Sequence, residues 1–136
     1  MAVHTGHCLC GAVTFRADVP KAEADACHCS MCRRSAGGPV IAVIAQDATF
    51  SGDALRVYRS SEWGERLFCG TCGSNLAWRM HDGSFVSIPT GAFDPPIDVP
   101  LHMEIFVDDK PTGYAFAGER KRLTGDEVRA LFEGGT

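Results

Sequence analysis

Long apolar runs are missing from this chain of 136 residues. No stretch approaches the ~18 apolar residues that a membrane-crossing helix needs, which excludes a helical span. The opening "MAVHTGHCLCGAV" has no basic segment followed by an apolar one, so a secretory signal is not expected. Charge excess is also scarce. Thirteen basic and 17 acidic side chains leave a formal net charge of −4, with no basic footprint for nucleic acid. The longest basic run, Arg120-Lys121-Arg122, is expected to be a solvated face. Repeats, low-complexity tracts and linkers are absent, so the length fits one domain, residues 1–136.

Helix signals are few. Most segments are short, rich in Val, Ile, Phe and Thr, and broken by Gly, Pro and Asp, the marks of strands and turns. Strands are expected near 11–18, 40–45, 55–60, 65–69, 75–80, 84–89 and 102–107, with Val13, Phe15 and Ala17 sharing one face. "RRSAGG" at 33–38 allows about one helical turn before two glycines stop it. At the other end Thr124 and Glu127 make a capping box, and Val128, Leu131 and Phe132 a stripe, for a terminal helix. The expected class is mainly β, with one short and one C-terminal helix.

Cysteine, in contrast, is plentiful. Seven is an odd number, so a complete set of internal disulfides is impossible. In a cytoplasmic protein, as this one is read, clustered thiols point to metal or catalysis. They form three groups: "CLC" (Cys8, Cys10), "CHCSMC" (Cys27, Cys29, Cys32) and "CGTCG" (Cys69, Cys72). A structural zinc takes four thiolate or imidazole ligands, usually from two short knuckles. "CGTCG" is one knuckle, with Gly70 and Gly73 for a permissive backbone, and "CLC" followed by Gly11 can be the other. "CHCSMC" is then left with three sulfurs. Three protein ligands and one exchangeable position make the pattern of a catalytic zinc.

Other divisions stay open at this point. "CHCSMC" plus one outside sulfur could form a single four-sulfur site, or Cys29 and Cys32 a redox dithiol. His28 is a poor fourth ligand, because adjacent residues of an extended segment point apart. Iron–sulfur ligation does not match the ferredoxin spacings.

In order along the chain, "CLCG" at 8–11, "CHCSMCRRSAG" at 27–37 and "FCGTCG" at 68–73 resemble the glutathione-dependent formaldehyde-activating enzyme family, which includes centromere protein V. The stretches "YRSSEWGERLFCGTCGSNLAW" (58–78) and "HMEIFVDDK" (102–110) resemble it too, so the likeness runs from about residue 5 to 116. It implies an Mss4-like β-tent of coiled antiparallel sheets pinned by a structural zinc. It also implies two Zn2+ per chain, structural at Cys8, Cys10, Cys69 and Cys72 and catalytic at Cys27, Cys29 and Cys32. The implied activity is a carbon–sulfur lyase reaction joining a glutathione-like thiol to formaldehyde or a related small aldehyde. Many members carry an aromatic soon after "DDK", for which Tyr114 is the nearest candidate. The competing functions are a non-enzymatic zinc module for a protein partner and a thiol redox or metal-buffering protein.

Around these motifs, Arg33 and Arg34 could meet a substrate's carboxylates or simply lie in a solvated turn. Ser74 and Asn75 read mainly as turn residues with an option on the sulfurs. Trp78 is expected to face the core and Trp63 could line a pocket. His28 could relay a proton. His81 and His102 read as strand-end residues, and Glu104 and Asp108 belong to no motif.

Overall fold

The computed structural model describes residues 2–134. In chain order the strands are β1 (Ala2–His7), β2 (Thr14–Val19), β3 (Ala24–Cys27), β4 (Val40–Ser51) and β5 (Leu55–Arg59). Then come β6 (Gly64–Cys69), β7 (Asn75–Met80), β8 (Val86–Pro89), β9 (Leu101–Ile105) and β10 (Lys121–Leu123). Helix α1 (Ser30–Ala36) follows β3 and α2 (Gly125–Gly134) follows β10. This is the mainly β, Mss4-like architecture expected, with one short helix and one C-terminal helix. All seven strands expected from the sequence form; β1, β3 and β10 are additional. None of the helices among the described residues is long and apolar enough to cross a membrane.

The chain divides into two compact units, each made of two segments. The first comprises Met1–Ala22 and Ala42–Val99. Its strands pair antiparallel throughout, in the order β1-β2-β4-β8-β7-β6-β5. Alternation builds its core: Val13, Phe15, Ala17 and Val19 are all buried, as period-two side chains on one face should be. Phe15 packs edge-on to Phe93 and tilted on Phe50, at 5.2 and 5.3 Å between ring centres. Leu67 on β6, Leu76 on β7 and Ile88 on β8 are fully buried as well. Trp78 is only half-buried, lying edge-on to Phe85, and Trp63 is exposed.

The second unit comprises Glu23–Ile41 and Pro100–Thr136. Here β9 pairs parallel with β3 on one side and with β10 on the other. The buried and half-buried positions of β3 alternate, and Ala24, Ala26 and then His28 are the buried ones. The capping box of α2 forms as expected: the Glu127 N–H donates to Thr124 Oγ1 (3.2 Å) and the Thr124 N–H to Glu127 Oε1 (2.9 Å). Its apolar stripe is narrower than expected. Val128 is buried, but Leu131 and Phe132 are exposed.

Candidate metal centres

Cys8 follows β1, and the turn after it is closed by two hydrogen bonds, Cys8 N–H to the Val13 carbonyl (3.0 Å) and Gly11 N–H to the Cys8 carbonyl (3.1 Å). Cys69 ends β6, and the Gly73 N–H donates to its carbonyl at 2.8 Å. Gly11 and Gly73 both have φ near +80°, a region open to glycine and strained for other residues. Each turn therefore ends on a glycine directly after its second cysteine.

The Sγ atoms of Cys8, Cys10, Cys69 and Cys72 all lie within 4.8 Å of one another. Cys8 to Cys10 is 3.7 Å and Cys10 to Cys69 is 3.8 Å. Four sulfurs at about 2.3 Å from a tetrahedral zinc would be about 3.8 Å apart, so the donor set fits the ion. Amide donors converge on the same sulfurs. The Val13 N–H points at Cys8 Sγ (3.3 Å), and those of Thr71 and Cys72 at Cys69 Sγ (3.4 Å each). Such donors favour thiolates. Ser74 Oγ lies 3.2 Å from Cys72 Sγ and, with the Ser74 amide, pulls that thiol down to about 5. The same oxygen accepts from the Leu9 N–H at 2.9 Å, tying one turn to the other. Ser74 is thus more than a turn residue.

The second cluster is separate from the first. Cys27 ends β3, Cys29 caps α1 by accepting the Cys32 N–H (3.3 Å), and buried Cys32 lies in the helix's first turn. Their three Sγ atoms also lie within 4.8 Å of one another. Hydrogen bonds from Cys27 and Cys32 pull the Cys29 thiol down, while bonds to Cys29 and Cys32, with burial, hold the Cys27 thiol above its ordinary value. None of the seven cysteines is in a disulfide, and the four-plus-three grouping is the one their spacing suggested.

Next to the three-cysteine cluster is a polar network that the sequence reading missed. His28 is fully buried; its Nε2 lies 2.8 Å from Glu104 Oε1 and its Nδ1 2.8 Å from the Tyr114 hydroxyl. Glu104, 1% exposed, receives Arg120 Nη1 (2.6 Å) and Arg122 Nε (3.1 Å) on Oε2. Burial works against the Glu104 charge, but Arg120, His28 and Arg122 prevail and hold its carboxyl below the usual range. The run Arg120-Lys121-Arg122 is therefore only in part the solvated face expected: Lys121 and Arg122 are exposed, but Arg120 and Arg122 both reach a buried carboxylate. Arg33 donates from Nε to the His28 carbonyl (3.1 Å), and Arg34 is exposed. His81 is held by Glu65 and the Ser61 carbonyl, and His102 by Glu23. Asp108 accepts the Gly125 N–H at the start of α2 (2.8 Å).

Comparison with known proteins agrees with this geometry. Residues 3–109 match the family described as glutathione-dependent formaldehyde-activating enzyme. An uncharacterized lyase of Schizosaccharomyces pombe is 29% identical over 131 residues, 94% of this chain and 96% of that protein. A Halomonas elongata protein, named provisionally as a glutathione-dependent formaldehyde-activating enzyme, is 36% identical over 87 residues, 52% of each chain. Among solved structures, a Rhodobacter sphaeroides structural-genomics protein aligns with a TM-score of 0.59 at 24% identity, covering 71% of this chain and 98% of that one. That last likeness speaks to the fold alone.

Proposed function

The chain belongs to the glutathione-dependent formaldehyde-activating enzyme family, and from that premise we propose that it joins a glutathione-like thiol to formaldehyde or a related small aldehyde. It would act as one domain of that family, since residues 3–109 draw on both units. The reaction is of the carbon–sulfur lyase type. A bond forms between the thiol sulfur and the carbonyl carbon, the carbonyl π pair moves to oxygen, and the thiol's proton ends on that oxygen.

The observation that carries this reading is the second cluster: three thiols within 4.8 Å, with Cys27 and Cys29 only half-buried. Cys27, Cys29 and Cys32 would hold one zinc, and Cys8, Cys10, Cys69 and Cys72 a second with a structural role. Zinc bound at the three-cysteine site would supply a coordinated substrate thiol in its ionised, nucleophilic form at neutral pH. Three cysteine thiolates would outweigh the ion's two positive charges, which favours delivery of thiolate over polarisation of a carbonyl. Arg34, exposed two residues after Cys32, would be available to meet a carboxylate of the incoming thiol. Seven cysteines outside any disulfide suit a reducing compartment, and we assign the protein to the cytoplasm on that ground.

The test is Cys29→Ser, read as exchange of isotopically labelled formaldehyde with glutathione by NMR, against the uncatalysed rate. The variant is expected to keep its fold and its four-cysteine metal while exchange falls to the uncatalysed rate. Exchange at the wild-type rate in the folded variant would sink the proposal.

A further inference from the structure

His28 stands between two of the three sulfurs, yet its side chain turns the other way. Buried Ala24, Ala26 and His28 alternate with half-buried Asp25, Cys27 and Cys29, so the imidazole and the flanking thiols are on opposite faces of one extended segment. Every polar atom of His28 is engaged. Its N–H donates to the Ile105 carbonyl (3.1 Å), its own carbonyl accepts from Arg33 (3.1 Å), and both ring nitrogens have partners at 2.8 Å. The rings of Tyr114 and Phe116 lie 5.5 and 5.7 Å from the imidazole.

The hydrogen-bond inventory fixes the direction of the chain. A carboxylate only accepts, so Nε2 carries the hydrogen toward Glu104; in the neutral ring Nδ1 then accepts from the Tyr114 hydroxyl. Glu104 is itself immobilised, with Arg120 and Arg122 on its second oxygen. Glu104 and Tyr114, both distant in sequence, thus meet on the one residue that separates Cys27 from Cys29, with Arg120 and Arg122 behind Glu104.

We infer that Glu104, acting through His28, is a positioning residue for the three-cysteine site, fixing the Cys27–Cys29 segment so that its sulfurs are already gathered for a metal. The inference rests on the proposed reading that this site holds a metal. A segment ordered by folding loses little further freedom on binding, whereas a loosened one must be ordered by the ion. Removal of such outer partners ordinarily weakens metal affinity about 10- to 100-fold. The four-cysteine site belongs to the other unit and contains none of these residues, which makes it an internal control for folding.

The experiment is a cobalt(II) titration of the whole metal-free chain, followed by visible absorption, with Cys29→Ser identifying the bands of the three-cysteine site. Wild type is expected to take two ions. Glu104→Gln is expected to bind the three-cysteine ion about 10- to 100-fold more weakly with shifted bands, leaving the four-cysteine ion unchanged. Tyr114→Phe, which removes only the bond to Nδ1, is expected to give a smaller loss at the same site and serves if Glu104→Gln does not fold. Wild type taking one ion would overturn both the proposed function and this inference. Two ions in wild type with unaltered affinity at the three-cysteine site in a folded variant, or with equal losses at both sites, would overturn the inference alone.

Discussion

The sulfurs of Cys10 and Cys69 stand 3.8 Å apart although 59 residues separate them in the chain. That is the edge expected of a tetrahedron about a zinc ion, and it is made by two turns, one after β1 and one after β6, bridged by Ser74. A metal bound there would tie the two turns together.

Cys69→Ser tests that statement. Structural zinc in small domains is bound with about 10–16 kcal/mol, as much as the whole stability of an ordinary domain. The variant is expected to lose one metal ion per chain and to lose its cooperative thermal transition. Elemental analysis and calorimetry check this, and a full-height wild-type transition in Cys69→Ser would show that no metal pins the fold.

Ser74→Ala probes the same centre more gently. It deletes the hydroxyl that faces Cys72 and accepts the Leu9 N–H, leaving every ligand in place. A hydrogen bond to a charged sulfur contributes about 1.5–3 kcal/mol. Metal should leave the four-cysteine site at a lower chelator concentration, by about tenfold, in a competition with a coloured zinc chelator.

The cysteine groups were legible in the sequence because ligand spacing is a local property: each knuckle carries its own pair and its own glycine. The strand pattern was legible where apolar residues alternate, as at Val13, Phe15 and Ala17. It failed for β3, whose "ADAC" lacks β-branched side chains and becomes a strand through pairing with partners such as β9. Similarly β10 is hidden in a basic run, since Arg120 and Arg122 show their purpose only when Glu104 is brought beside them. Glu104 itself has no local signature. Its partners come from positions 28, 120 and 122, and a single chain read in order has no means of joining them.

Glu65 gives a prediction in pH. Its carboxylate accepts from Arg79 Nε at 2.6 Å and pairs with His81 Nδ1 at 2.9 Å; His81, then Arg79, hold its carboxyl below the ordinary range. A lowered folded pKa means that the charged form is favoured in the native state, so the stabilisation is complete above the unfolded value of about 4.3 and disappears as pH falls through the folded one. Glu65→Gln should be less stable than wild type by about 1 kcal/mol at neutral pH. The two urea curves should converge as pH falls from about 5 toward about 3. A gap that persists unchanged at the acid end would show that the pair is not the source.

The final prediction concerns Gly64, where β6 passes under an indole. A methyl group built there would come within 2.4 Å of the Trp78 ring, and Gly64 is buried, so the ring has no slack to yield without disturbing its edge contact with Phe85. The backbone at Gly64 has no left-handed φ, so the requirement for glycine here is one of space. Gly64→Ala should therefore cost about 1–3 kcal/mol by overpacking. The urea midpoint should fall with an unchanged slope, since the surface exposed on unfolding stays the same. Trp78→Leu in the same background should recover part of the loss, because it removes the ring that the methyl meets. Additive losses in the double variant would mean that Gly64 answers to something other than Trp78.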